Sequence, residues 1–365
     1  MEQPAGVIRS FWARGRRGPS TGTHALIVGP YRVHNFGDDL IGAVIATHLQ
    51  RQGYRVSIPK LSAENARWLG TQYAETYDGL FETADLVVVG GGGIMSDTAG
   101  AKPGASYLEI VARAAAQGTL AGRPLVVTGV GAGPWLRDKS RRLAQEVSSI
   151  ATRVGVRDQE SFEHLRQIGV DERKIVAGAD IALLTSDYLR FRRRRRRGRK
   201  IGLQFDIGLF EDMRQNPHLD EIRAGVARYA NDNARDVVLV SNGRHPSQLA
   251  DAAPDCELLR YARLERFLPQ LAGLDALMTS HLHLAITAYS QRIPSFSLYV
   301  REKTRRFYGQ IGHPERAVDL RTATPDDLRR LLESMESARW TPEDEATLRR
   351  LKDQARSLLG ILPEP

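Results

Sequence analysis

The sequence predicts an α/β protein of two Rossmann-like domains facing each other across a cleft. Three observations carry that expectation. Short Val-, Leu- and Ile-rich runs alternate with stretches of helical period, the pattern of a parallel sheet covered on both faces. The alternation breaks at Asp187 to Lys200 and then begins again. At 365 residues the chain exceeds the usual size of one domain, and a 42% hydrophobic content suffices for two cores.

Residues 1–23, rich in Gly, Arg, Ser and Thr, read as a flexible arm. The first domain, 24–186, takes strands at 24–29, 54–58, 85–89, 124–130, 153–156 and 174–177, with helices near 38–51, 104–118, 138–149 and 158–168. Residues 187–200 form a basic linker. The second domain, 201–338, takes strands at 201–204, 236–240, 275–278 and 295–298, with helices near 217–230, 262–271, 282–290 and 324–336. A last helix at about 341–359, within 339–365, is free to pack on either half.

The formal charge of +9 invites a nucleic-acid reading, but the excess is local. Residues 190–200 hold nine Lys or Arg and no acid; the 43 basic residues elsewhere equal the 43 acidic ones. With no aromatic platform or nucleic-acid module, no nucleic acid is expected as partner. Six consecutive arginines, Arg192–Arg197, read first as a solvated linker and second as a contact for an anionic membrane surface. The apolar runs are too short to span a bilayer, and Met1 to Thr23 lacks a signal-peptide core. The single Cys256 excludes an internal disulfide framework, and a cytoplasmic location is the default expectation.

Four segments stand where strands give way to helices, the place where open α/β sheets hold ligands. Asn35-Phe36-Gly37-Asp38-Asp39-Leu40-Ile41-Gly42 follows the first strand, and its carboxylates read plainly as helix caps or, functionally, as cleft groups. Gly90-Gly91-Gly92-Gly93 follows Asp85 to Val89; glycine there permits positive φ and close approach to a ligand. Neither this run nor Gly129 to Gly133 is a dinucleotide fingerprint, and no Walker sequence is present. Arg157 follows Arg153 to Val156, where a guanidinium pairs with a neighbouring acid or grips a phosphate or carboxylate bidentately. His281 and His283 follow Ala276 to Met278; the i, i+2 spacing is compatible with a metal pair, but no third ligand has suitable spacing, so no metal is expected.

In this order and spacing, from about His24 to Leu298, the four segments resemble the polysaccharide pyruvyl transferase family. The resemblance and the two α/β halves together imply the arrangement called GT-B. The resemblance implies transfer of a pyruvyl group from phosphoenolpyruvate onto two hydroxyls of a sugar, as a cyclic ketal, in a bacterial exopolysaccharide or cell-surface precursor. Phosphoenolpyruvate is then a co-substrate and no cofactor is required. The acceptor is a sugar or a lipid-linked oligosaccharide.

By the same resemblance Arg157 binds the donor, with Ser280 and His281 beside it, and His283 is the critical histidine. The family has Ser-Arg-Leu-His where this chain has Ser280-His281-Leu282-His283, so a permanent charge is missing at 281. Arg244, His245 and Arg301, each just past a strand, are the candidates to replace it. His283 is expected to act as acid or phosphate-stabilising group, since imidazole titrates near neutrality. Asp38 is the expected base or hydroxyl-orienting group. Two carboxylates at a helix start repel a trianion, so the neutral acceptor is placed against Asn35, Gly37, Asp38, Asp39 and the glycines Gly91, Gly92 and Gly93. The alternatives are a nucleotide-sugar glycosyltransferase of the same architecture and a non-catalytic homologue with a binding role.

Overall fold

A computed structural model of the chain describes residues 22–31, 35–97, 105–194, 196–205, 215–243 and 249–365. The expected arm at 1–23 and the candidate Arg244 therefore lie outside the described residues, apart from Gly22 and Thr23.

The predicted α/β architecture is present as two six-stranded sheets, parallel throughout. In the first, β1 (His24–Val28), β2 (Arg55–Ser57), β3 (Leu86–Gly90), β4 (Leu125–Val130), β5 (Arg153–Val156) and β6 (Ile175–Ala177) lie in the order β2-β1-β3-β4-β5-β6. Every residue of β1, β3 and β4 is buried, as strands covered on both faces require. In the second sheet, β7 (Ile201–Gln204), β8 (Val237–Ser241), β9 (Glu257–Arg260), β10 (Ala276–Thr279), β11 (Ser295–Tyr299) and β12 (Ala317–Asp319) lie in the order β12-β11-β10-β7-β8-β9. The sequence reading missed β9 and β12. Both are short edge strands that carry charge rather than an apolar run, which is how sheet edges are protected.

Helices of the first half are α1 (Phe36–Gln52), α2 (Ala63–Leu69), α3 (Leu80–Thr83), α4 (Ala105–Ala116), α5 (Asp138–Ile150), α6 (Gln159–Gln167) and α7 (Thr185–Tyr188). Those of the second are α8 (Leu219–Asp232), α9 (Leu264–Leu271), α10 (Leu282–Ser290), α11 (Glu302–Gln310) and α12 (Pro325–Ser337), followed by α13 (Pro342–Leu359). α12 and α13 both open on a capping box with proline in the first turn, Thr324 with Asp327 and Thr341 with Asp344.

Strand order reverses direction between β1 and β3 in one sheet and between β7 and β10 in the other. Those two switch points open crevices beyond the carboxyl ends of the strands. The first crevice receives the start of α1 and the glycines after β3; the second receives Ser280 to His283.

The halves are joined by more than the linker. Phe36 packs its ring against Tyr261 and Phe267, at centroid distances of 5.4 and 4.8 Å. α13 crosses back onto the first domain: Leu348, Leu351, Ala355, Leu358 and Leu359 join the cluster that holds Ala25 and Ile27 of β1. Thr128 of β4 donates its hydroxyl to the Leu358 carbonyl at 2.6 Å. The arginine run lies along the second domain. Arg193 reaches Asp275, Arg194 reaches Gln270 and Arg196 reaches Glu257, while Arg192 and Arg197 are exposed.

Candidate active site

The start of α1 is capped by Asn35, whose side-chain oxygen accepts from the Gly37 N–H at 3.1 Å. Asn35 thus takes the capping role and leaves both following aspartates for other contacts. They diverge. Asp39 is buried and turned into the domain junction, where its Oδ2 accepts from the Tyr261 hydroxyl at 2.6 Å and from Asn65 Nδ2 at 3.3 Å. Asn65 in turn accepts from the Leu264 N–H at 2.9 Å. Burial raises the Asp39 carboxyl to about 8, against the Tyr261 hydrogen bond. Asp38 faces the glycines after β3: a Cβ on Gly92 would stand 2.6 Å from Asp38 Oδ1 and 3.5 Å from His283 Cε1.

His283 sits in the first turn of α10 and reaches across the junction. A methyl group at Gly37 would overlap its imidazole, so the first turn of α1 must be bare there. Gly92 has φ of 37°, a left-handed conformation that costs glycine nothing. Gly91, with φ of 121°, backs onto Pro30, and Gly93 onto Ser96. The glycine run therefore leaves room for Asp38 and His283 beside Gly92.

The third party is Asp180, which the sequence reading did not single out. It caps the 3-10 turn Ile181–Leu184 just beyond β6, with Oδ1 accepting from the Ala182 N–H at 3.0 Å. Its Oδ2 lies 3.6 Å from His283 Nε2 and 3.2 Å from Arg157 Nη1. Burial alone would raise this carboxyl, but the adjacent His283 and then Arg157 side chains hold it well below the usual carboxylate range. Arg157 is itself buried, packed over Gly131, with Asp158 at 3.9 Å. Asp158 caps α6 through the Ser161 N–H at 2.7 Å and receives Arg306 of α11 at 3.0 Å.

α11 also brings Lys303, a second residue missing from the sequence reading. Lys303 shares a pocket wall with Arg157, Asp180 and Arg306. Burial, then the Arg301 and Arg157 guanidiniums, push its ammonium well below the usual range, opposed by Asp38 and Asp180. Arg301, the N-cap residue of α11, is therefore near the cleft, as its place after β11 suggests. Both missed residues obey the rule that found Arg157 and His283, namely position just past a strand end.

Ser280 and His281 lie at the rim of the second crevice. Ser280 donates from its N–H at 3.0 Å and its hydroxyl at 3.2 Å to Gln204 Oε1. The His281 ring meets Asn242 Nδ2 at 3.0 Å, and the Asn242 carbonyl accepts from the Phe36 N–H at 3.4 Å. His281 thus braces the junction with the first domain.

Two parallel six-stranded sheets with flanking helices, each reversing its strand order once, define a GT-B-like fold. The chain belongs to the polysaccharide pyruvyl transferase family, whose model matches residues 35–302. No curated protein sequence matches it. Among solved structures, a UDP-N-acetylglucosamine 2-epimerase assigned provisionally in Listeria monocytogenes is similar over 92% of this chain and 94% of that one, at TM-score 0.62 and 11% identity. The UDP-GlcNAc 2-epimerase of Methanocaldococcus jannaschii, solved with UDP-GlcNAc and UDP, covers 93% and 99% at TM-score 0.57 and 13% identity. The glycosyltransferase of kitacinnamycin covers 94% and 99% at TM-score 0.51 and 14% identity. At these identities the likeness is one of fold. Among the described residues no helix is long and apolar enough to cross a membrane.

Proposed function

We propose that the cleft transfers a pyruvyl group from phosphoenolpyruvate to two hydroxyls of a sugar unit in a cell-surface or exopolysaccharide precursor. The observation that supports it best is the cluster of Arg157, His283 and Lys303 around one buried carboxylate, Asp180, in a chain of this family. Arg157 and Lys303 supply the positive charge that a phosphate and a carboxylate require. His283, 3.6 Å from that carboxylate, is placed to act as the proton donor. Asp38 faces it across Gly92 and accepts a proton from, or orients, the attacking hydroxyl.

The reaction balances with these groups alone. The donor methylene carbon gains a proton and becomes a methyl group. Two C–O bonds form to the acceptor oxygens, the C–O bond to phosphate breaks, and the second hydroxyl proton leaves with inorganic phosphate. His283 delivers one proton and Asp38 relays the other. An acceptor carried on a lipid, with Arg192 and Arg197 resting on an anionic cytoplasmic membrane face, belongs to the same reading.

The test is direct. Phosphoenolpyruvate is expected to raise the melting temperature and to release phosphate when a sugar acceptor is added, and His283→Ala is expected to abolish release. Stabilisation by UDP-N-acetylglucosamine without any response to phosphoenolpyruvate would favour a nucleotide-sugar transferase instead.

A further inference from the structure

A second, open cavity lies at the amino ends of the second sheet's strands, where β7, β10 and β11 begin; its volume is about 440 Å³. Four arginines from three segments line it: Arg193 and Arg199 of the linker, Arg292 before β11 and Arg339 after α12. Two carboxylates stand against them. Asp275 lies 3.4 Å from Arg193, and Glu345 takes Arg292 at 2.7 and 2.9 Å. Among the described residues, Arg199 and Arg339 donate to main-chain oxygens near the end of α12, those of Met335, Glu336 and Ala338. Positive charge is thus gathered in excess of its local compensation, and each fork keeps unused N–H donors. A further observation comes from the backbone. Arg292 has φ of 62°, a left-handed conformation disfavoured for any residue with a Cβ, in the turn that carries it into this cavity.

We propose that this cavity is a binding site for a phosphate- or diphosphate-bearing ligand, separate from the cleft. Like guanidiniums repel, and an anion of that kind removes the repulsion while matching their planar forks. The volume admits a diphosphate with part of the group it is attached to. The ligand is either a lipid headgroup or a soluble phosphate ester. This proposal stands whether or not the cleft handles phosphoenolpyruvate.

Isothermal titration calorimetry with inorganic pyrophosphate at low ionic strength tests it. The full chain is expected to bind. The double charge reversal Arg193→Glu with Arg339→Glu is expected to weaken binding about 100-fold or more, since two charge-assisted contacts are lost. Arg339→Ala alone, a milder change if the double variant folds poorly, is expected to weaken it about 10-fold. Lys303→Ala, which alters only the cleft, is expected to bind as the wild type does. So is Arg192→Glu with Arg197→Glu, which changes exposed linker charge outside the cavity.

Vesicles of phosphatidylglycerol in phosphatidylcholine then separate the sources. Flotation that pyrophosphate competes away assigns the phosphate to a lipid, whereas pyrophosphate binding without flotation assigns it to a soluble ligand; both support the site. No binding, equal affinity in the Arg193 and Arg339 variants, or equal loss in the Lys303 or linker variants overturns it.

Discussion

Asp180 Oδ2 stands 3.6 Å from His283 Nε2, at the meeting of the first domain's sixth strand end and the second domain's α10. The same oxygen is 3.2 Å from Arg157 Nη1, so one buried carboxylate aligns two groups from different domains. Asp180→Asn keeps the shape and removes the charge. Phosphate release from phosphoenolpyruvate is expected to fall roughly 100-fold, within the range for a positioned acid or base. The loss should appear in kcat more than in KM. An unchanged kcat would assign Asp180 a structural role only.

Lys303 leads to a prediction about protons. Burial, then Arg301 and Arg157, hold its ammonium well below the usual range in the free protein. An arriving phosphate and carboxylate favour the charged form. Donor binding is therefore expected to take up a proton and to weaken as pH rises. Calorimetry in buffers of different ionisation enthalpy reads the uptake directly. Lys303→Ala should abolish it and weaken donor binding by about 10- to 100-fold.

Asp39 predicts a stability slope. Its carboxyl is raised from 3.8 to about 8 by burial first, with Tyr261 opposing. The folded state holds a proton that the unfolded state releases, so this contribution is complete below about pH 4 and is lost as pH rises towards about 8. Asp39→Asn keeps an acceptor for Tyr261 and removes the titration. Urea unfolding at several pH values should show a flatter dependence in the variant between those limits.

Gly37→Ala tests how tightly the domains meet. The added methyl group overlaps the His283 ring, so the imidazole or the start of α1 must move. Overpacking of this kind costs about 1–3 kcal/mol. Thermal unfolding should show that loss, and turnover should fall far more than the same destabilisation elsewhere would cause.

Much of the fold was legible because buried parallel strands must be apolar on both faces, and β1, β3, β4, β8 and β10 announce themselves that way. β9 and β12 did not, since an edge strand carries little of that signal. Within the site, Arg157, Asp38 and His283 follow strands bounded by glycines or other turn residues. Asp180 and Lys303 occupy equivalent positions but derive their meaning from contacts formed only when the two halves close. Asp38 and Asp39 point about 100° apart on α1, and their division of labour depends on Tyr261, 222 positions further along. No local pattern encodes that distance.

The return of α13 to the first domain has a consequence for biogenesis. β1 and α13 share one apolar cluster, and the helix emerges from the ribosome only after the whole second domain has been made. The usual order, in which an N-terminal domain completes its fold during synthesis, is closed to this protein. The half that bears Asp38, Arg157 and Asp180 must wait, with part of its apolar surface bare, for a segment encoded after the whole second domain. A nascent chain stalled before residue 342 is therefore the species most exposed to chaperones and proteases.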